Sequence, residues 1–566
     1  MRVELARRRA LRCLAVATVV CVASRSMAVA APQTLTVDDP RTRAARPAPV
    51  LEPAEELGVG LGRVPQVVLA PPDVAALTAE DLARAARSSD KVLRYGVGRN
   101  IAVAERDGVW NALAGGRRLW AIEVGSAGAL ALRLHFRGAL PAGSRLTVVE
   151  AASGATSPGL WEASAGTRLF DVWSPSVMGE TARVEYLAPP GAGAEALPFR
   201  VDRLQHIYVD PVSVVAGVGV RGARIGAGGC HNDVTCHPEW RREARAVAGL
   251  GVIGEDSLFC TGQLVNDLAQ DFTPYFLTAN HCAGKPALAR TAELYWFYQT
   301  SACGGPPPTL ASVPRSSGAT LLSAGAASDY ALLRVEGRLP HGVAWAGWTA
   351  SPIEDGTAAA VIHHPSGDFK RISFGDKASA LECGGAQHLR IRWTDGPTED
   401  GSSGAGAFRA DTHQLFGQLH CGPSACGRET YDQFGSFSAT YPRIASLLAR
   451  GSDDDAEPDD SCAAAHRVTP GTLAGRVVTY RSPDWYRMRV PSGRTLRVTL
   501  HFVRQEGTLA ALLVGACGQA PRAVASGKGD SRVLELRNAG PTATFAWEVE
   551  LPDDLRNTYS MTVELL

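Results

Sequence analysis

The sequence predicts a mainly β protein of several units in series, on three observations. At 566 residues it exceeds what one hydrophobic core normally serves, so about two to four domains are expected. Its 59 glycines and 35 prolines punctuate short runs of Val, Thr, Leu and Tyr, the composition of strands joined by turns rather than of a helical bundle. The cysteines are unevenly placed: none lies between Ala31 and Gly229, eight lie from Cys230 to Cys426, and the last two are Cys462 and Cys517. A domain boundary is expected where they begin.

In chain order, residues 1–30 read as an export signal. Arg2, Arg7, Arg8, Arg9 and Arg12 form a basic start, residues 13–23 are apolar, and Ala28-Val29-Ala30 offers small residues for cleavage. The apolar stretch is too short to span a bilayer, and no later segment approaches that length. Removing Cys13 and Cys21 from the twelve cysteines leaves ten, an even number suited to disulfides in an oxidising compartment.

Residues 31–224 read as a propeptide. A Pro-, Ala- and Arg-rich leader to about residue 53 is expected to be a flexible linker. A cysteine-free β-rich domain follows, in which residues 130–136 place a large apolar side chain at every second position and 145–149 are similar. Residues 81–88 look helical. Residues 212–229 are rich in Gly, Ala and Val around Arg221 and Arg224, a pattern suited to processing; cleavage after Arg224 makes Ile225 the new first residue. Residues 225–451 are the cysteine-rich domain and 452–460 an acidic linker. Residues 461–566 form a small β-sandwich, with clean alternation over 495–500 and 560–565. The linker's acids, Asp453 to Asp460, could bind calcium, a solvated tether being the plainer reading.

Basic and acidic side chains balance at 57 each, which argues against nucleic acid or an anionic membrane as partner and makes any electrostatic selectivity local.

The chemistry lies in the cysteine-rich domain. A serine needs a base, a carboxylate that holds the base's tautomer, and donors for a developing oxyanion. Thr278-Ala279-Asn280-His281-Cys282 ends a strand-like stretch and supplies His281 as base. Asp329 precedes the apolar run 330–333 and is the carboxylate. Gly401-Ser402-Ser403-Gly404 supplies Ser403 as nucleophile, its glycines allowing a sharp turn that aims the N–H groups of Gly401 and Ser403 at a carbonyl oxygen. Ser402 competes, but only Ser403 has glycine both two places before and directly after it. The order His, Asp, Ser is that of chymotrypsin-like proteases; Ala405 and this order exclude an α/β-hydrolase elbow.

Residues from Cys230 to about Leu448 resemble the lysyl endopeptidase branch of those proteases. The matching stretches are Cys230-His231-Asn232-Asp233-Val234-Thr235-Cys236, Cys260-Thr261-Gly262-Gln263-Leu264-Val265-Asn266, residues 275–282, and Trp345-Ala346-Gly347-Trp348. Ile362-His363-His364-Pro365 with Lys370-Arg371-Ile372-Ser373, and Gly417-Gln418-Leu419-His420 with Gly422-Pro423-Ser424, belong to the same set. The resemblance implies a chymotrypsin-like double β-barrel with the active site between the barrels. It also implies disulfides Cys230–Cys426, Cys236–Cys303 and Cys260–Cys282; Cys383 and Cys421 fall outside the pattern and pair by elimination. The cluster Cys230, His231, Cys236 and His237 would suit a metal in a cytosolic protein, but disulfides account for its cysteines here, so no metal and no cofactor are expected. His363-His364 reads as a structural pair. Glu457-Pro458-Asp459-Asp460-Ser461-Cys462, Asp484-Trp485-Tyr486 and Tyr559-Ser560-Met561-Thr562-Val563 resemble the bacterial pre-peptidase C-terminal domain, which implies Cys462–Cys517 pairing.

Chymotrypsin-like enzymes selective for basic residues often carry an aspartate six places before the serine, where this chain has Pro397. In lysyl endopeptidases the acid comes from beyond the serine, and Tyr431-Asp432-Gln433-Phe434-Gly435 looks like that segment. Asp432 is therefore expected at the base of the specificity pocket, with His420 beside the substrate. The family's tryptophan partner of that histidine has no clear equivalent, Glu382-Cys383 standing in its region. The expectation is a secreted, monomeric serine endopeptidase that cuts protein substrates after Lys with some acceptance of Arg, made as a zymogen with its own prodomain as partner. The alternatives are a secreted binding or adhesion protein with an inert protease-like domain, and a glutamyl endopeptidase, which would want a cationic or His-lined pocket.

Overall fold

The computed structural model describes residues 31–566 apart from 42–53, 55–59, 86, 152–158, 163–167, 192–196, 210–227, 309–311, 380–384, 449–458, 460, 480–481, 503–507, 528 and 553–555. The export signal, Arg221, Arg224, Ile225, Glu382, Cys383 and nearly all of the acidic linker lie outside the described residues. Among the described residues no helix is long and apolar enough to cross a membrane.

The N-terminal domain is two β-sheets around a core that includes Trp120, Leu134, Phe136, Val184 and Phe199. One sheet runs in the order Gln66–Leu69, Arg118–Ser126, Thr181–Leu187, Arg145–Glu150, Gly159–Glu162. The other does not end at the domain: Ala131–Leu140, Phe199–Ile207 and Leu93–Val103 continue into Ser257–Leu264, Val247–Ile253 and Glu293–Trp296 of the next domain, within one sheet of 12 strands. The strand expected at residues 130–136 is present, and its polar positions are buried as well as its apolar ones. Arg133 and His135, at polar positions of that alternation, are 1% and 4% exposed. Arg133 Nη1 lies 4.0 Å from Glu293 Oε2 of the following domain, and His135 sits between Asp202 and Asp171 at 2.6 and 2.7 Å. A strand buried on both faces keeps polar side chains only where they are paired.

The helix runs Val74–Ala85, earlier than the expected 81–88. Asp73 fixes its start by accepting Ala76 N–H on its side chain at 2.9 Å. Of the expected range, residues 87 and 88 are not helical.

The leader departs furthest from expectation. Residues 32–41 are a strap packed on the cysteine-rich domain, with Val37 opposite Trp345 and Asp38 opposite Ala344. Thr34 N–H donates to Trp348 O and Ala350 N–H to Pro32 O, both over 2.9 Å. Composition marked this stretch as linker because it carries few apolar side chains; backbone pairing holds it instead.

The cysteine-rich domain pairs an open half-barrel, the first barrel, with a closed second one. The first carries the antiparallel succession Val247–Ile253, Ser257–Leu264, Tyr275–Ala279, Tyr330–Val335 and Ala319–Gly325. The second is a closed ring of Arg371–Ala378, Ala358–His363, Gly406–Arg409, Leu415–Cys421, Tyr431–Ser436 and His388–Asp395, the last strand pairing back onto the first. Disulfides join Cys230 to Cys426, Cys236 to Cys303 and Cys260 to Cys282. Cys421 is disulfide-bonded, but its expected partner Cys383 is outside the described residues. The C-terminal unit stacks a five-stranded on a four-stranded sheet over Tyr486, Val498, Trp547 and Met561, with Cys462 bonded to Cys517.

Gly347 lies directly under the strap: a Cβ there would meet Leu35 C at 2.4 Å and Thr36 N at 2.5 Å. Neither backbone atom can give way alone. Gly347→Ala in a Ser403→Ala background is expected to displace the strap and cost roughly 1–3 kcal/mol in urea unfolding.

Candidate active site

The cleft between the barrels is assembled from both. Tyr275–Ala279 of the first barrel runs into a single helical turn, Asn280–Ala283, that presents His281, and the Cys260–Cys282 bond ties this turn to the neighbouring strand. Asp329 enters from the residue before Tyr330–Val335 with φ of +50°, a left-handed backbone that few non-glycine residues adopt. That conformation turns its carboxylate onto His281: Oδ1 accepts His281 N–H at 3.1 Å and Oδ2 lies 2.7 Å from Nδ1. His281 Nε2 lies 2.8 Å from Ser403 Oγ. With a carboxylate on Nδ1, that nitrogen carries the proton and Nε2 is left to accept one from the hydroxyl.

Ser403 sits before Gly406–Arg409 of the second barrel. Gly401 and Gly404 have φ of +92° and +84°, and a Cβ on Gly404 would meet Thr278 Oγ1 at 2.3 Å and Thr261 O at 2.4 Å. Only glycine fits. Thr261 of the first barrel holds this turn: its N–H donates to Ser403 O at 2.8 Å and its hydroxyl to Gly401 O at 2.9 Å.

Ser402, the competitor, faces away, its Oγ 2.7 Å from His363 Nδ1. His363 also meets Ser373 Oγ at 3.0 Å. Burial, with the charges of His231 and His364 next, holds its pKa well below the ordinary 6.5, so it bridges the two hydroxyls as a neutral ring. His364 stacks on Tyr298 at 5.6 Å, and burial lowers its pKa to about 3.

Asp432, expected at the base of the specificity pocket, is fully buried. Its Oδ2 accepts Trp393 Nε1–H at 2.8 Å, Thr398 Oγ1–H at 2.6 Å and the Ser424 hydroxyl, while Oδ1 accepts Ser424 N–H at 3.2 Å. A lysine also reaches this carboxylate. Lys91 of the N-terminal domain places its Nζ 3.6 Å from Asp432 Oδ1, donating to Thr398 O at 3.2 Å and to Ser424 O. The Lys91 carbonyl oxygen accepts the N–H groups of Gly401 and Ser403 at 2.6 and 3.1 Å.

His420, on Leu415–Cys421, lies over His281 with ring centres 5.5 Å apart, and burial lowers its pKa. Its Nδ1 is 2.9 Å from Nε2 of His388, so a second imidazole stands beside it. Sequence reasoning missed His388, Trp393, Thr398 and Lys91, none of which lies in a motif-like stretch. Two groups of His, Cys and acids have metal-like spacing among the described residues. One is His281, Asp329 and His420 of this site; the other uses Cys230 and Cys426, which are bonded to each other and offer no thiolate.

Residues 226–437 match the family model for the lysyl endopeptidase C-terminal domain, and residues 68–208 match the lysyl endopeptidase N-terminal domain. A lysyl endopeptidase of Pseudomonas aeruginosa is 31% identical over 401 residues, covering 66% of this chain and 86% of that protein. The secreted RxLR effector protein 73 of Plasmopara viticola is 29% identical over 176 residues, covering 29% of this chain and 42% of that protein. Among solved structures, the thermostable serine protease AL20 of an extremophilic microorganism is 14% identical with a TM-score of 0.26, covering 36% of this chain and 97% of its own.

The neutral state of His364 has a consequence for stability. Its folded pKa is about 3 against 6.5 ordinarily, so below pH 6.5 the unfolded chain takes up a proton that the folded one refuses. Its share of stability is intact above 6.5 and falls by about 1.4 kcal/mol per pH unit as acid is added. In a Ser403→Ala background, His364→Phe removes that loss, so urea unfolding should show the gap between the two proteins narrowing from pH 7.5 to 4.5.

Proposed function

The chain belongs to the lysyl endopeptidase family and is a serine endopeptidase, and we propose that it cleaves after lysine with Ser403, His281 and Asp329. The observation that carries this is an ammonium group, that of Lys91, seated above the buried carboxylate of Asp432.

Ser403 Oγ attacks the substrate carbonyl while its proton passes to His281 Nε2; Asp329 holds the ring and the imidazolium that forms. The N–H groups of Gly401 and Ser403 receive the oxyanion. His281 returns the proton to the departing amine, and water then releases the acyl group by the same steps.

Lysine is favoured over arginine because Asp432 Oδ2 is already taken by Trp393, Thr398 and Ser424. A guanidinium fork needs both oxygens; an ammonium needs one, and finds its other acceptors in the carbonyls of Thr398 and Ser424. The acidic floor also argues against a glutamyl endopeptidase.

The remaining parts of the proposal rest on sequence. Residues 1–30 support secretion and the run around Arg224 supports removal of residues 31–224. The resemblance of residues 461–566 to a pre-peptidase C-terminal domain supports an appendage on a monomeric enzyme that needs no cofactor. Terminal sequencing of the secreted enzyme tests the Arg224 junction, which an upstream first residue would refute.

On matched peptide substrates the processed enzyme should prefer Lys to Arg in kcat/KM, and both to Phe or Glu. Asp432→Asn should lower the Lys value by roughly 100- to 1000-fold, the cost of removing one partner of a buried charge pair. Ser403→Ala should lose roughly four orders of magnitude or more in kcat. An unchanged preference in Asp432→Asn, or phosphonate labelling at Ser402, would refute the assignment.

A further inference from the structure

Lys91 does more than fill the pocket, and the segment around it lies in the cleft as a substrate would. Asp90 pairs antiparallel with Cys421, and Gly422 N–H donates to Ser89 O at 2.9 Å, so the residues before Lys91 add a short strand to the cleft edge. The Lys91 carbonyl oxygen lies on the two N–H groups of Gly401 and Ser403, and its ammonium lies on the pocket floor. Incidental packing of one domain on another would satisfy one of these contacts, not all of them together.

We propose that Lys91–Val92 is a reactive bond: the N-terminal domain presents it to the chain's own Ser403, which it blocks and by which it is cut. This rests on the reading of Ser403 and Asp432 above. Ser403 Oγ adds to the Lys91 carbonyl carbon, giving its proton to His281. The C–N bond to Val92 breaks, and His281 protonates the Val92 amine. Water then hydrolyses the Lys91 ester, leaving a carboxylate on Lys91 and free Ser403.

The fold keeps both ends in place after the cut. Leu93 and Arg94 pair with Phe259 and Leu258, so the new amine is held one residue from a strand of the first barrel. Arg94 bridges the break, since its guanidinium reaches Asp81 at 2.7 Å, Glu80 and Leu77 O at 3.1 Å on the upstream side, and Asp256 of the protease domain at 3.3 Å. A leaving amine that cannot diffuse away re-forms the bond as readily as water breaks the ester. Turnover is therefore slow and the cut pieces stay together.

The test uses full-length wild type, Ser403→Ala and Lys91→Gln. Denaturing mass spectrometry should find a chain starting at Val92 in wild type and none in Ser403→Ala, while native chromatography keeps the wild-type pieces in one peak. A fluorophosphonate should label Ser403 at least about tenfold faster in Lys91→Gln than in freshly purified wild type, the ion pair with Asp432 being lost. Full processing of the wild type should remove that difference. If Lys91→Gln does not fold, wild type before and after processing gives the same comparison. Absence of the Val92 terminus from wild type that still carries its N-terminal domain, or equal labelling before and after processing, overturns the proposal. A processed enzyme that ignores Lys peptides would instead refute the pocket assignment, so the two failures are distinguishable.

Discussion

The serine's turn belongs to one barrel and the histidine and aspartate to the other, so the site exists only if two separate sheets are held in fixed register against each other. Thr261 carries that constraint. Its N–H and hydroxyl hold the backbone oxygens of Ser403 and Gly401, and its own carbonyl accepts the Thr278 hydroxyl three residues before His281. The Cys260–Cys282 bond locks the neighbouring residues of the same two segments. The glycines of the serine turn follow from this: Gly404 is pressed against Thr261 and Thr278 so closely that no side chain fits.

A second constraint is the handling of buried charge. Asp432 and Glu293 are both fully buried and each is surrounded by donors. Glu293 lies where the N-terminal domain meets the first barrel, with Ser176 N–H at 3.1 Å and Arg315 at 3.3 Å and Arg133 beyond. Burial alone would raise its pKa, but the two guanidiniums reverse that and hold it below the ordinary carboxylate range. An interface built on such charges is specific in register yet gains little net energy from them. That suits the release proposed above for the N-terminal domain.

The β class and the nearness of His281, Asp329 and Ser403 were legible because strand alternation and glycine-flanked turns are local signals. Three things were not. The strap of residues 32–41 is held by backbone hydrogen bonds, to which composition is blind. The burial of the polar positions in the strand at residues 131–140 depends on partners such as Glu293, which lies far along the chain. Lys91 sits in an unremarkable Ser-Ser-Asp-Lys-Val run, and its significance comes only from docking against residues more than three hundred positions away.

The strap and the Lys91 segment lie on the same stretch of chain, upstream of the Lys91–Val92 bond. A fragment ending at Lys91 would therefore grip the protease at two separate places, at Trp345–Trp348 and in the cleft. Two weak attachments on one tether act as one strong one, because losing either leaves the other to hold the free end at high local concentration. Dilution alone would then be slow to clear the cleft, whereas a single cut between the strap and the strand Gln66–Leu69 would uncouple the grips and let each go at its own rate. Activation becomes a matter of where the tether is severed, not of how tightly either contact binds.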